Sequence, residues 1–114
     1  MSKIVKHQHG PTFGEKVLEA ALAIPRGRVT TYGHIARAAG GGGQSARSVS
    51  GILGRYATKG VKNIPWHRIV YANGTIWVND EHYQERMKLY SKEGIEVDER
   101  GRIHNFRDIL YTFD

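Results

Sequence analysis

Apolar positions recur at helical spacing from residue 12 onward. Phe13, Val17, Leu18, Ala21 and Leu22 make one face of a helix running to about Ile24. Thr12-Phe13-Gly14-Glu15 reads as a capping box that opens this helix, and Pro25 stops it. Gly27 and the β-branched Val29-Thr30-Thr31 predict a short extended link. Thr31 offers a second N-cap, ahead of a short helix carrying Tyr32, Ile35, Ala36 and Ala39, and Gly40 to Gly43 end it with a flexible turn. Ser45 is expected to cap a third helix, on which Val49, Ile52, Leu53 and Tyr56 fall at i, i+3, i+4 and i+7. The pattern then turns to strand. His67-Arg68-Ile69-Val70-Tyr71 and Thr75-Ile76-Trp77-Val78 flank Asn73-Gly74, the signal of a two-residue hairpin. Asn79 or Asp80 opens a further helix with Tyr83, Met87 and Tyr90 on one core-facing side and Gly94 as its stop. A turn at Arg100-Gly101 leads to a last apolar set, Phe106, Ile109, Leu110 and Phe113.

Two short helices joined by a glycine turn and followed by a hairpin read as a mainly α fold. The expectation is a winged helix-turn-helix DNA-binding domain whose wing is a small β-hairpin. Residues 1–11 predict a mobile N-terminal tail, and residues 12–114 a single domain, since no repeat or linker divides them.

Charge adds a direction to this picture. Seventeen Lys and Arg oppose eleven Asp and Glu, for a net +6 over 114 residues, but the signs are segregated. From Ala20 to Asn79 there is no acid, while Arg26, Arg28, Arg37, Arg47, Arg55, Lys59, Lys62 and Arg68 contribute eight positives. Arg47, Gly51 and Arg55 share a face of the third helix away from its apolar stripe. Such a field is aimed at a polyanion, most commonly a nucleic acid; a solvated basic face or an anionic-lipid patch are the alternatives.

Composition removes other classes. No run of 18 apolar residues and no signal-like stretch predict a protein off the membrane, cytoplasmic and DNA-associated. The absence of cysteine excludes disulfides, thiolate metal sites and thiol nucleophiles together. No Gly-Lys-Ser/Thr follows the glycine run, so it reads as a turn rather than a phosphate loop. His7-Gln8-His9 lacks a third ligand, and His34 and His82 are expected on helix surfaces, so neither metal nor cofactor is expected. No paired carboxylates stand near the basic block for hydrolytic work.

One constellation is sharper. Pro65-Trp66-His67-Arg68-Ile69-Val70 resembles the Pro-Cys-His-Arg-Val active-site motif of O6-alkylguanine-DNA alkyltransferases. Val29-Thr30-Thr31-Tyr32-Gly33 resembles the segment with that family's phosphate-rotating tyrosine, which implies this role for Tyr32. Ala46-Arg47-Ser48-Val49-Ser50-Gly51 resembles its Ala-Arg-Ala-Val-Gly-Gly segment, which makes Arg47 the intercalating finger on a helix that enters the minor groove. Glu93-Gly94 resembles the pair whose carboxylate bonds the active-site histidine, here His67. These motifs run in the family's order over roughly residues 12–95 and resemble the C-terminal domain alone.

Trp66 stands where the nucleophilic cysteine would be, and an indole N–H only donates. The resemblance is therefore to the alkyltransferase-like proteins, which bind O6-alkylguanine in duplex DNA, flip it without repairing it and channel it to nucleotide excision repair. It implies a non-enzymatic monomer. The implied DNA contacts are Tyr32, Ser45, Ala46, Arg47, Ser48, Gly51, Arg55 and Lys59. The implied lesion pocket is Tyr32, Pro65, Trp66, His67, Arg68, Trp77 and Glu93, with His67, Arg68 and Glu93 either lining it or serving structure only. Two departures bear on the pocket: about two extra residues between Arg47 and Trp66, and polar and acidic residues around Trp77 to Asp80 in place of a Ser/Gly-rich loop. The rival readings are a sequence-specific winged-helix transcription regulator and a transferase or base-lyase variant acting on alkylated DNA.

Overall fold

The computed structural model describes residues 10–42, 45–76, 78 and 81–114. The expected tail therefore lies, but for Gly10 and Pro11, outside the described residues, as do His7 to His9, Gly43, Trp77, Asn79 and Asp80. Thr12 opens helix α1 (Phe13–Leu22) with both halves of its capping box: Thr12 Oγ1 accepts from Glu15 N at 3.1 Å, and Glu15 Oε1 accepts from Thr12 N at 2.9 Å. Strand β1 (Thr30–Thr31) runs directly into helix α2 (Tyr32–Ala38), capped by Thr31 Oγ1 accepting from His34 N. His34, expected on the surface, is half-buried, with its Nδ1 2.6 Å from Thr31 Oγ1.

Helix α3 (Ala46–Thr58) begins after Ser45, but the Ser45 side chain makes no capping bond. Its backbone is already helical (φ −67°, ψ −18°), whereas a capping side chain needs an extended residue to aim its oxygen back at the first amides. A 3₁₀ turn (Trp66–Arg68) leads into strand β2 (Ile69–Val70), and helices α4 (Tyr83–Lys92) and α5 (Phe106–Ile109) follow. Helix α4 has His82 at its N-cap position rather than Asn79 or Asp80, and the His82 side chain makes no capping bond.

The sheet is parallel and has two strands, with Thr30 opposite Ile69 and Thr31 opposite Val70. Because β2 side chains alternate, Ile69 joins one apolar cluster and Val70 the other. The first cluster packs α1, α2 and α3 through Val17, Ala21, Ile35, Val49 and Leu53; the second gathers Val29, Ile76, Tyr90, Ile95 and Ile103. On the side of β1 away from β2, Val29 N donates to Ile109 O (3.1 Å) and Tyr111 N to Val29 O (2.7 Å), so the C-terminal segment lies against the link.

The wing departs from a two-residue hairpin. Gly74 N donates to Tyr71 O (2.9 Å) and Tyr71 N to Thr75 O (3.0 Å), which makes a three-residue loop closed by Gly74 at φ +82°. Asn73 keeps a negative φ, and its Oδ1 accepts from Thr75 N and Oγ1, an arrangement of the loop itself. The arm after the turn pairs with the 101–103 segment: Ile76 N donates to Gly101 O (2.8 Å) and Ile103 N to Gly74 O (2.9 Å). The whole is mainly helical and winged helix-like. Among the described residues no helix is long and apolar enough to cross a membrane.

Gly101 sits at φ +81°, and a Cβ there would stand 2.5 Å from Val78 Cγ1 and 2.9 Å from Ile76 O. Gly101→Ala should therefore destabilise by about 2–3 kcal/mol, lowering Tm by roughly 10 °C. Gly54→Ala, inside α3 with open space around its Cβ, should instead raise stability by about 0.5–1 kcal/mol. Thermal unfolding of both variants checks the contrast; equal effects would contradict it.

Candidate nucleic-acid interface

Helix α3 buries Val49, Ile52 and Leu53 against α1 and α2, which turns the opposite face outward. Arg47, Ser48, Gly51, Arg55 and the C-capping Lys59 are exposed, while Ser45 and Ala46 are half-buried at its start. A Cβ at Gly51 would touch only Arg55, at 3.9 Å, so the helix offers bare backbone between its two arginines.

The eight cations of the acid-free window divide into two sets. Arg26 Nη2 donates to Lys92 O (2.7 Å). Arg28 donates to Ile109 O (3.0 Å) and Leu110 O (2.7 Å), with its guanidinium 5.6 Å from the Tyr111 ring centre. Arg68 binds Glu93 and donates from Nη1 to Ile24 O (2.9 Å). Arg28 and Arg68, both half-buried, are thereby tied into the protein, whereas Arg26 makes its bond from an exposed position. Arg37, Arg47, Arg55, Lys59 and Lys62 are exposed without such a bond among the described residues and, with Arg26, constitute the outward field.

A pocket of about 680 Å³ opens between the start of α2, the 3₁₀ turn, β2 and α4, within the roughly 300–1,000 Å³ of small-molecule sites. Of the residues named from sequence, Tyr32, Trp66 and His67 line it. Pro65, Arg68 and Glu93 do not. Pro65 is buried at the head of the 3₁₀ turn, and Arg68 and Glu93 bond each other away from the lining. Trp77 lies outside the described residues. Ile64, Tyr71, His82, Glu85, Arg86 and Leu89 also line it and were not anticipated. The last four repeat at i, i+3, i+4 and i+7 from the N-cap position of α4 along the helix, a second face beside the core-facing one, and that spacing is the signal for them in the sequence. Among the described residues no cluster of His, Asp or Glu could hold a metal ion.

The 3₁₀ turn presents Trp66, 39% exposed, to the pocket and tucks His67 inward. What fixes the turn is Glu93, the C-cap of α4, whose side chain is only 5% exposed. Gly94 at φ +74° reverses the chain there, letting Ile95 N donate to Tyr90 O (2.9 Å). The Glu93 carboxylate accepts from His67 Nε2 (2.6 Å), Arg68 Nε (3.0 Å), Arg68 Nη2 (2.8 Å) and Gly27 N (2.9 Å). Burial alone would raise its pKa, but the Arg68 guanidinium, the Gly27 amide and His67 together hold it down at about 2. An ionised carboxylate only accepts, so Nε2 of His67 carries a proton. The His67 ring meets Tyr90 edge-on at 5.9 Å. Burial, and next the neighbouring Tyr71, raises the Tyr32 phenol above its usual range, so it remains a neutral hydroxyl.

The Glu93 shift is a stability statement. A folded-state pKa depressed from 4.5 to about 2 contributes roughly 3 kcal/mol. That stability is fully present above pH 4.5 and is lost as pH falls toward 2. Glu93→Gln should lower stability at pH 7 by about 3 kcal/mol, with the gap to wild type closing between pH 4.5 and 2. Thermal unfolding across this range is the check; an unchanged acid limb in the variant would contradict it.

Comparison with known proteins agrees with this geometry. The family model of the 6-O-methylguanine DNA methyltransferase DNA binding domain matches residues 12–95. The chain is 36% identical over 98 residues to the DNA base-flipping protein of Escherichia coli K12, covering 86% of this chain and 74% of that protein. It is 34% identical over 87 residues to Alkyltransferase-like protein 1 of Schizosaccharomyces pombe, covering 75% and 78%. The crystal structure of S. pombe Atl1 in complex with damaged DNA containing O6-carboxymethylguanine superposes with a TM-score of 0.65 at 31% identity, over 87% of this chain and 94% of that one. The chain belongs to the alkyltransferase-like family, built on the DNA-binding domain of 6-O-methylguanine DNA methyltransferase.

Proposed function

We propose that this protein recognises alkylation damage in duplex DNA, flips O6-alkylguanine into the pocket between the start of α2, the 3₁₀ turn and α4, and hands the lesion, unrepaired, to nucleotide excision repair. The observation that carries this reading is the pocket itself, walled by an exposed Trp66 in a chain that has no cysteine. A wall that cannot accept an alkyl group suits recognition without transfer. The similarity to proteins named for base flipping, and to one crystallised with an O6-carboxymethylguanine duplex, supports the same substrate.

The parts divide the work as follows. The exposed cations of the basic window attract the duplex and set its salt dependence without reading sequence. Tyr32, at the first turn of α2 and in the pocket wall, crowds a phosphate and rotates the nucleotide outward. Arg47, exposed in the first turn of α3, fills the vacated stack with its planar guanidinium. Extrusion costs a few kcal/mol, and less for a poorly paired base, so flipping itself favours lesions. Trp66 gives the alkylated purine an aromatic surface, and His67, Arg68 and Glu93 hold that surface in place. The protein acts as a monomer, with residues 12–114 as its working unit.

Mobility-shift titration of matched duplexes tests this. Arg47→Ala should weaken binding to an O6-methylguanine duplex by at least about tenfold. Lys59→Ala should weaken lesion and unmodified duplexes alike and flatten the salt slope by about 1. Equal losses from the two changes would make Arg47 an ordinary phosphate contact. Preference for one unmodified sequence, with no response to O6-methylguanine, would favour a transcription regulator instead.

A further inference from the structure

The parallel register of the sheet has a consequence at its far end. Thr31 pairs with Val70, so the next residues, Tyr32 and Tyr71, leave the sheet side by side. Their rings meet at 6.5 Å with a 36° tilt, and both line the pocket. Tyr71 is 43% exposed, yet its backbone is fixed on both sides, its N–H donating to Thr75 O and its carbonyl accepting from Gly74 N. Among the described residues the exposed large apolar side chains are Leu22, Trp66, Tyr71 and Leu89, and the last three all line this one pocket. Exposed apolar surface gathered at a single opening marks a binding site rather than a random surface. An aromatic face on a rigid turn is also suited to stacking on a base, because every base has a π-face and little side-chain freedom is lost.

We propose that Tyr71 is a base-stacking residue, a second aromatic wall that holds the extruded purine in the pocket together with Trp66. The inference rests on the flipping function proposed above and deepens it. Tyr32 drives the nucleotide out; Tyr71 retains the base once it has arrived. The ring does this work, and the phenolic oxygen does not.

The test is the affinity of wild type, Tyr71→Ala and Tyr71→Phe for two duplexes of identical sequence, one carrying O6-methylguanine and one unmodified. Circular dichroism and thermal unfolding confirm that each variant is folded, which the exposure of Tyr71 favours. Tyr71→Ala should lose roughly tenfold in affinity for the lesion duplex, in keeping with base–aromatic stacking, and little for the unmodified one. Tyr71→Phe should bind both like wild type. If Tyr71→Ala keeps the wild-type lesion preference, the stacking role is overturned while the flipping function stands. Equal loss on both duplexes, or a Tyr71→Phe defect as large as that of alanine, would overturn it in favour of a phosphate contact through the hydroxyl. A wild-type protein with no lesion preference would overturn the flipping function itself, and the inference with it.

Discussion

A buried carboxylate is tolerable only when its hydrogen-bonding positions are filled, and this protein builds its pocket around one that is. Glu93 ends α4, yet its oxygens bind the amide of Gly27 before β1 and the side chains of His67 and Arg68 in the 3₁₀ turn. Arg68 in turn reaches the carbonyl of Ile24 behind α1. Three segments remote in sequence, the 24–27 link, the 3₁₀ turn and the end of α4, are thus fixed relative to one charge. Removing any one partner leaves the others desolvated and unpaired, which is far costlier than the pair is worth in itself. The outcome is a rigid turn on which Trp66 faces outward because His67 is drawn inward.

In the alkyltransferase motif that this chain resembles, the carboxylate-bound histidine stands next to the nucleophilic cysteine. Here the same pair, at 2.6 Å, stands next to Trp66 in a chain without thiols, and its geometry positions that neighbouring residue. The same division runs through the arginines. Arg26, Arg28 and Arg68 point donors at carbonyls or a carboxylate of the protein, and of these three Arg28 and Arg68 are half-buried while Arg26 stays exposed. A basic sequence window is therefore an upper bound on the basic surface.

Much of this was legible in the sequence wherever the information is local. Thr12 with Glu15 and Thr31 with His34 form their caps within three residues, and the stripes of α1 and α3 follow from spacing alone. The motif match brought Tyr32, Trp66 and His67 to one pocket. What escaped depends on contacts distant along the chain. The carbonyls that Arg26 and Arg28 bind lie 66 to 82 residues away, and no local pattern marks them. Pro65, Arg68 and Glu93 belong to the right motif but stand behind the lining, since a motif fixes neighbourhood and not orientation. His82, Glu85, Arg86 and Leu89 lie on a mostly polar second face that the apolar stripe of Tyr83, Met87 and Tyr90 does not mark, and the place of Tyr71 beside Tyr32 is set by strand register.

The central claim is recognition without reaction. Its most direct measurement uses a duplex labelled in the O6-methyl group, incubated with the protein until bound and then separated, with label counted in protein and in DNA. The account predicts a stable complex in which all label remains on the DNA, since Trp66 supplies no nucleophile. Label transferred to the protein in stoichiometric amount would contradict it.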